Sequence, residues 1–372
     1  MRPAAEAPTS TVVDCSGVGP GGITRVLTEI VRFWPGGHRL ELVAVPAGWD
    51  VPDGVEADVR TASRQAGGRG RSIAAATTAL RRATADLDPA TTRLLSLSPS
   101  IAVAGSRLPV VTVMHDLAFK LWPHDLPAAV RQYRKTSYGM AVSRSERLLC
   151  VSARTQHDLL GVYGVPVERT RVWHPGSDVA GSPGELPAAL RGRPYLVVPG
   201  HAAHKGVELA VEALAEHPRY TLAVLTGGQR VEAFERAAAA SPAAARVVFL
   251  DRLSDADYLA TLAGAAAFLM PSHFEGYGLP AAEAMRLGTP TVISPDPALH
   301  EATGGDAIRM ATWTGAALAA ALRALDTWKA PPAAAHRGWR QAAEELAGHV
   351  GVRFATARPQ PVPEAVPEPG EG

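Results

Sequence analysis

Residues 271–294 read PSHFEGYGLPAAEAMRLGTPTVIS. An apolar run, Ala265 to Met270, leads into the turn Pro271-Ser272, and Glu275 and a Gly-Tyr-Gly step, Gly276 to Gly278, come next. Pro280 falls in the first turn of a helix, where its missing N–H does no harm. Gly288 is placed to cap the C-terminus of that helix. The β-branched run Thr289 to Ile293 reads as the following strand. The stretch therefore predicts strand, glycine loop, short helix, strand. In an open α/β sheet such a loop lies at the carboxyl end of a strand, where ligands bind.

Two carboxylates frame the loop. Glu275 precedes the helix, and Glu283 lies eight positions on, inside the first turn or so. The helix N-terminus between them offers free N–H groups and positive potential, which suits a phosphate. The glycines let backbone approach that phosphate closely. A carboxylate accepting from two vicinal hydroxyls makes hydrogen bonds worth roughly 1.5–3 kcal/mol each. The composite fits a ligand with a diphosphate at its centre and a polyol at each end. A nucleotide sugar has that form.

EGYGLPAAEAMRLGTPTVIS resembles the E-x7-E segment of retaining GT-B glycosyltransferases, and glycosyltransferase family 4 in particular. The bland alternative is that Glu283 only pairs with Arg286 at i,i+3 on a surface helix, worth a few tenths of a kcal/mol. The resemblance implies an α/β GT-B fold, with two doubly wound Rossmann-like domains facing a central cleft. Residues 1–175 would form the acceptor-binding domain and 176–335 the nucleotide-sugar-binding domain. Residues 336–354 would be a C-terminal helix packing back on both. Residues 355–372, where Pro and Glu dominate, are expected to be a disordered tail.

Composition agrees with an ordinary globular chain of two domains: 372 residues, 47% hydrophobic and 20% charged. Two cysteines, Cys15 and Cys150, are too few for a disulfide framework and point to a reducing, cytoplasmic setting. The N-terminus lacks the apolar core of a signal peptide. The longest apolar run, Leu259 to Met270, is too short to span a bilayer. The net charge of +1 is unevenly spread: residues 1–175 hold 21 Lys and Arg against 15 Asp and Glu, and the remainder 16 against 21. The Gly-rich segment carrying Arg60, Arg64, Arg69 and Arg71 reads first as a solvated loop and second as a contact for an anionic acceptor or the inner face of a membrane. Nothing in the sequence indicates nucleic acid as a partner.

Earlier in the chain, the strand Thr11 to Asp14 is followed by Gly17-Val18-Gly19-Pro20-Gly21-Gly22 and a helix from Ile23 to Phe33. The spacing matches the dinucleotide fingerprint G-x-G-x-x-G, so a nicotinamide-dependent oxidoreductase has to be weighed. The fingerprint also wants an acid ending the second strand, but Arg39 to Val45 ends in Val45-Pro46. The resemblance instead implies that Gly21 and Gly22 approach the donor. VVTVMHDLAF is similar to the family strand that ends in His-Asp, which implies His115 and Asp116 near the transferred sugar. Taken without the resemblance, His115 reads as a core histidine held by Asp116.

The second domain opens on the strand Pro194 to Pro199 and the turn Gly200-His201-Ala202-Ala203-His204-Lys205-Gly206. The resemblance implies a lysine here, usually with an arginine close by, on the donor diphosphate. Lys205 fits, and His204 stands where the arginine is missing. A histidine is half charged or less near neutral pH, so the clamp is expected to be weaker or pH-dependent. His201 and His204 are too few, in one tight turn, for a metal site.

The resemblance thus implies a retaining hexosyltransferase using a nucleoside-diphosphate sugar as co-substrate, with no cofactor and no metal. His115, Asp116, Lys205 and Glu275 are its catalytic candidates. Gly21, Gly22, His204, Lys205, Glu275, Gly276, Tyr277, Gly278, Leu279 and Glu283 are its donor-binding candidates. The acceptor is left open between a glycan, a lipid-linked saccharide and a secondary metabolite. An inactive homologue acting as subunit or scaffold is the alternative, motivated by the missing arginine and by Asp251 where the family often has glycine.

Overall fold

The computed structural model describes residues 10–352, except 37, 56, 61–68, 180, 230 and 333–335. One parallel sheet comprises β1 (Ser10–Asp14), β2 (Arg39–Val43), β3 (Ala57–Arg60), β4 (Leu94–Ser96), β5 (Val110–Met114), β6 (Ser145–Cys150) and β7 (Thr170–Val172). Their spatial order is β3-β2-β1-β4-β5-β6-β7. Its helices are α1 (Gly22–Arg32), α2 (Arg69–Ala83), α3 (Ala118–Leu121), α4 (Ala128–Arg144) and α5 (Ala153–Tyr163).

A second parallel sheet comprises β8 (Tyr195–Pro199), β9 (Thr221–Leu225), β10 (Val247–Leu250), β11 (Ala267–Met270), β12 (Thr291–Ile293) and β13 (Ile308–Arg309), ordered β10-β9-β8-β11-β12-β13. Its helices are α6 (Val207–Ala215), α7 (Glu232–Ala240), α8 (Asp255–Ala263), α9 (Leu279–Arg286), α10 (Pro297–Ala302) and α11 (Gly315–Leu322); α12 (Trp339–His349) closes the described chain. In each sheet the first strand lies inside, with later strands growing away on both sides. The loops leaving β1 and β8 therefore open at the switch points of the strand order, where such sheets bind ligands.

Burial follows the pleat. Val13, Leu40, Leu42, Leu95 and Val111 meet Leu27 and Ile30 of α1 on one face of the first sheet. Their neighbours Val12, Val43, Leu94 and Val110 meet Leu80 of α2 on the other. In the second sheet Leu196, Val198, Leu222 and Leu269 pack on α6 and α11, while Val197, Phe268 and Met270 pack on α9. Strands covered on both faces lose the apolar–polar alternation of half-exposed ones. That is why the sequence marks them as continuous apolar runs.

α12 belongs to the first domain's core. Trp339, Ala342, Leu346 and Ala347 join the cluster of β1, β4 and α1, and Tyr277 and Leu279 of the second domain abut the same cluster. The Trp173 indole donates to the Ala342 carbonyl at 2.9 Å, and the Trp339 amide donates to Asp178 at 2.6 Å.

Several expectations are refined. The arginine-rich segment is not one loop: Arg60 ends β3 and pairs with Glu41, and Arg69 and Arg71 lie in the first turn of α2. Arg64 and the tail 355–372 fall outside the described residues. The second strand stops at Val43, and Ala44 takes a left-handed φ of 60°. The short strands β3, β7 and β13 and the helices α3 and α10 were not evident in the sequence, because none is long enough to show a period.

Candidate active site

The loop between β11 and α9 carries Glu275 and the glycine step Gly276 to Gly278. Glu275 is buried, and its Oε1 accepts from the Lys205 ammonium at 2.8 Å, so the turn after β8 and the loop after β11 are tied together. Burial raises the Glu275 carboxyl, but Lys205 and His204 outweigh it, and the net pKa lies below the ordinary value. The Glu275 amide donates to Asp296 at 3.1 Å, and Asp296 in turn caps α10 through the Ala298 amide and meets Arg154 of the first domain at 3.2 Å. Gly278 precedes α9 at φ 106°, and no side chain caps that helix end. Pro280 has no N–H and the Ala281 and Ala282 amides donate to the Gly278 carbonyl, so the Leu279 amide is the one this first turn offers to an anion.

Glu283 lies in the second turn of α9 and is buried. The Tyr258 hydroxyl of α8 donates to its Oε2 at 2.8 Å. Its Oε1 faces Nε of Arg25 at 3.9 Å, and Arg25 comes from α1 of the other domain. Burial pushes the Glu283 carboxyl up to about 7, with Arg25 and Tyr258 opposing the rise.

The first domain seats this loop by backbone contacts. A side chain at Gly276 would run into the His115 carbonyl. The Gly276 carbonyl accepts from the Ser152 hydroxyl at 2.6 Å and from the Thr155 hydroxyl at 3.0 Å. Ser152 also caps α5 by accepting from the Thr155 amide. His115 Nε2 meets the Leu97 carbonyl at 2.7 Å. A carbonyl only accepts, so Nε2 carries the proton. Burial lowers the pKa of this imidazole, which keeps the ring neutral with Nδ1 as an acceptor. Asp116 accepts from the Ala118 amide at 2.8 Å and lies 3.4 Å from Arg134. Tyr277 stacks on His174 at 5.7 Å.

Two further contacts hold the cleft walls together. Glu301 accepts from the Ala153 amide at 2.8 Å, at the N-terminus of α5, and from His174 at 2.5 Å. Burial raises its carboxyl, but these donors prevail and its pKa lies below the ordinary value. His204 turns to the first domain: its Nδ1 and its amide meet Asp125 at 2.7 and 2.8 Å. Trp122 stacks on His273 beside it at 5.5 Å.

The structure thus brings His115, Asp116, Lys205 and Glu275 through Leu279 to one cleft, with Glu283 behind the helix start. His204 borders the cleft, engaged by Asp125 rather than aligned with Lys205. Gly21 and Gly22 open α1 on the first-domain side, and Gly21 needs its glycine for a φ of 92°. His201 is exposed, and no group of three metal-ligand side chains occurs among the described residues. Arg25, Asp125, Tyr258 and Asp296 escaped the sequence reading. Asp296-Pro297 carried a usable signal, an N-cap residue before a proline at the first helical position. A cavity of about 850 Å³ opens at the carboxyl end of the first sheet, lined by Ser16, Ser98, Ser100, Tyr133, Arg134 and Tyr138 among others.

Two facing parallel-sheet domains with a cleft of this make-up define the GT-B class. Solved structures agree in fold. WaaG, a glycosyltransferase involved in lipopolysaccharide biosynthesis, superposes with a TM-score of 0.64 at 17% identity, covering 91% of this chain and 94% of its own. Anabaena HepE, solved with UDP and glucose, gives 0.68 at 16% identity, covering 92% and 99%. Residues 20–180 match the model of Glycosyltransferase Family 4, and residues 188–323 match that of Glycosyl transferases group 1. The chain has the GT-B fold of glycosyltransferases and resembles family 4. Among curated relatives, glycogen synthase of Mycobacterium tuberculosis is 30% identical over 257 residues, 67% of this chain and 61% of that protein. D-inositol 3-phosphate glycosyltransferase of Corynebacterium efficiens is 28% identical over 211 residues, half of each chain. The chain thus spans about three fifths or less of the length of the relatives it matches.

Proposed function

We propose that this chain transfers a hexosyl group from a nucleoside-diphosphate sugar to an acceptor hydroxyl with retention of configuration. The observation that carries this reading is the meeting of Lys205, Glu275 and the uncapped start of α9 at one point of the cleft, directly against the His115 backbone. A Lys ammonium has three donors. One engages Glu275, and the others are available to diphosphate oxygens. Glu275 and the backbone of Gly276 to Leu279 hold the sugar, and Glu283 accepts from the ribose hydroxyls. HepE, which shares the fold, was solved with UDP and glucose, which supports a donor of this form.

Leaving-group charge is stabilised by Lys205 and the α9 N-terminus, donors aimed in advance at the developing charge. His115 and Asp116 border the sugar from the first domain, and the acceptor approaches from the 850 Å³ cavity beside them. The resemblance implies front-face attack assisted by the leaving phosphate. Closure of the domains excludes water from the reacting centre.

A thermal-shift panel with UDP, GDP, dTDP and ADP on wild type and Glu283→Ala tests the donor site. A ligand at 100 times its dissociation constant stabilises by about 2.7 kcal/mol. One nucleoside diphosphate stabilising wild type and not the variant is the expected result. No response to any of them defeats the reading and favours an inactive homologue.

A further inference from the structure

Arg25 has no role in the reading above, yet it occupies an unusual position. It lies in the first turn of α1, immediately after the glycine loop, and its amide donates to the Gly21 carbonyl at 3.2 Å. Its side chain is 18% exposed and crosses to the second domain. Three carboxylates surround the guanidinium: Glu29 of α1 at 3.4 Å from Nε, Asp255 of α8 at 3.5 Å from Nη1, and Glu283 of α9 at 3.9 Å from Nε. Glu29 is already held by Arg32, which reaches both its oxygens at 2.9 Å. Asp255 is largely exposed. Nε and Nη2 of Arg25 are buried and form no hydrogen bond, and no hydrogen bond reaches Oε1 of Glu283 among the described residues. A buried, unpaired donor thus faces a carboxylate oxygen just beyond bonding distance, across the domain boundary.

We propose that Arg25 is the positioning residue of the ribose site: from the first domain it holds Glu283 as an ionised, hydroxyl-accepting carboxylate. This rests on the assignment of Glu283 to the ribose made above. A carboxylate accepts from two vicinal hydroxyls, whereas a neutral carboxyl presents one donor and loses part of that capacity. The titratable and charged groups facing Glu283 are Tyr258 and Asp255 from α8 and Arg25 and Glu29 from α1. On the other sides of α9, β11, β12 and α10 present Phe268, Met270, Ile293 and Leu299, which are apolar. Among these described neighbours Arg25 is the cation, so without it none of their charges opposes the effect of burial. The same contact ties occupancy of the second domain to the seating of Gly21 and Gly22, because Arg25 sits on the helix those glycines open.

The test compares wild type, Arg25→Met and Arg25→Lys. The dissociation constant of the nucleoside diphosphate that stabilises wild type is measured by calorimetry from about pH 6.5 to about pH 9.5. A cation within a few ångströms moves a carboxyl by about one to three pKa units. The Arg25→Met constant should therefore be weaker than wild type by roughly tenfold near pH 7.5. The gap should close toward pH 9.5, and Arg25→Lys should restore most of it. A ¹³C carboxyl titration of Glu283, assigned by its loss in Glu283→Gln, gives a second readout that needs no ligand. Its midpoint should rise in Arg25→Met. An unchanged midpoint, or a loss of affinity equal at every pH, overturns the proposal. If no nucleoside diphosphate binds wild type while the midpoint still rises, Arg25 sets the ionisation of Glu283, and it is the assignment of the donor site that falls.

Discussion

The Gly276 backbone lies directly on the His115 carbonyl, leaving no room for a side chain between the glycine loop of one domain and the strand tip of the other. The contact is fixed from a third direction by the Ser152 and Thr155 hydroxyls on the Gly276 carbonyl. A methyl group at residue 276 must push the domains apart. Misplacing reacting groups by about an ångström costs on the order of a hundredfold in rate. Gly276→Ala is therefore expected to lose donor turnover by about that factor while the second domain still binds nucleotide. Steady-state kinetics and calorimetry on the same preparation separate the two effects.

Lys205 and Glu275 form a buried ion pair, and removing one partner strands the other charge. Lys205→Met alone is expected to cost on the order of 3–5 kcal/mol of stability. The double variant Lys205→Met, Glu275→Leu should recover most of that loss in urea unfolding. Turnover should stay abolished in both. A double variant as unstable as the single one would show that the pair is not coupled as its 2.8 Å contact indicates.

Glu283 gives stability a specific pH dependence. Its pKa rises from 4.5 to about 7, so the folded chain holds this proton more tightly than the unfolded chain. The resulting stability is complete below the ordinary carboxylate value and is lost as pH rises toward about 7. Glu283→Gln has no proton to lose. Relative to wild type it should gain up to on the order of 3 kcal/mol above about pH 8, and nothing near about pH 4. Thermal or urea unfolding across that range checks both the sign and the window.

Glu301 runs the other way. Its pKa is depressed by donors from His174 and the α5 N-terminus, so its contribution is present at neutral pH and fades as acid protonates it. Glu301→Gln should cost about 1 kcal/mol near neutrality, the usual scale of a helix N-terminal contact. The deficit should shrink as the pH falls through the depressed pKa. A deficit that is constant with pH would mean that shape, not charge, holds that corner of the cleft.

Much of this cleft was legible in the sequence for a physical reason. His115 follows the apolar strand β5 at once, and Glu275 and Lys205 lie in the turns that leave β11 and β8; in a doubly wound sheet strand ends are where the chain must present polar groups. Strands buried on both faces and glycine loops leave strong one-dimensional signals. Arg25, Asp125 and Tyr258 left none. Arg25 meets Asp255 across 230 positions and Asp125 meets His204 across 79. In the sequence each is an ordinary polar residue on a helix or in a loop. The same holds around His204: its place beside Lys205 is plain in the sequence, and its contact with Asp125, 79 residues upstream, is not. The edge strands β3 and β13 were missed because four and two residues carry no detectable period.

Helix α12 does not pack in the domain whose sheet it follows. Trp339, Ala342 and Leu346 fill the core of the domain that the chain built first, with the Trp173 indole bonded to the Ala342 carbonyl. In covalent terms the second domain is an insertion within the first, held at both of its ends. A ribosome therefore cannot complete the earlier domain until it has made the later one. A chain truncated just before Trp339 would carry its damage not at the cut but in the sheet that was synthesised first.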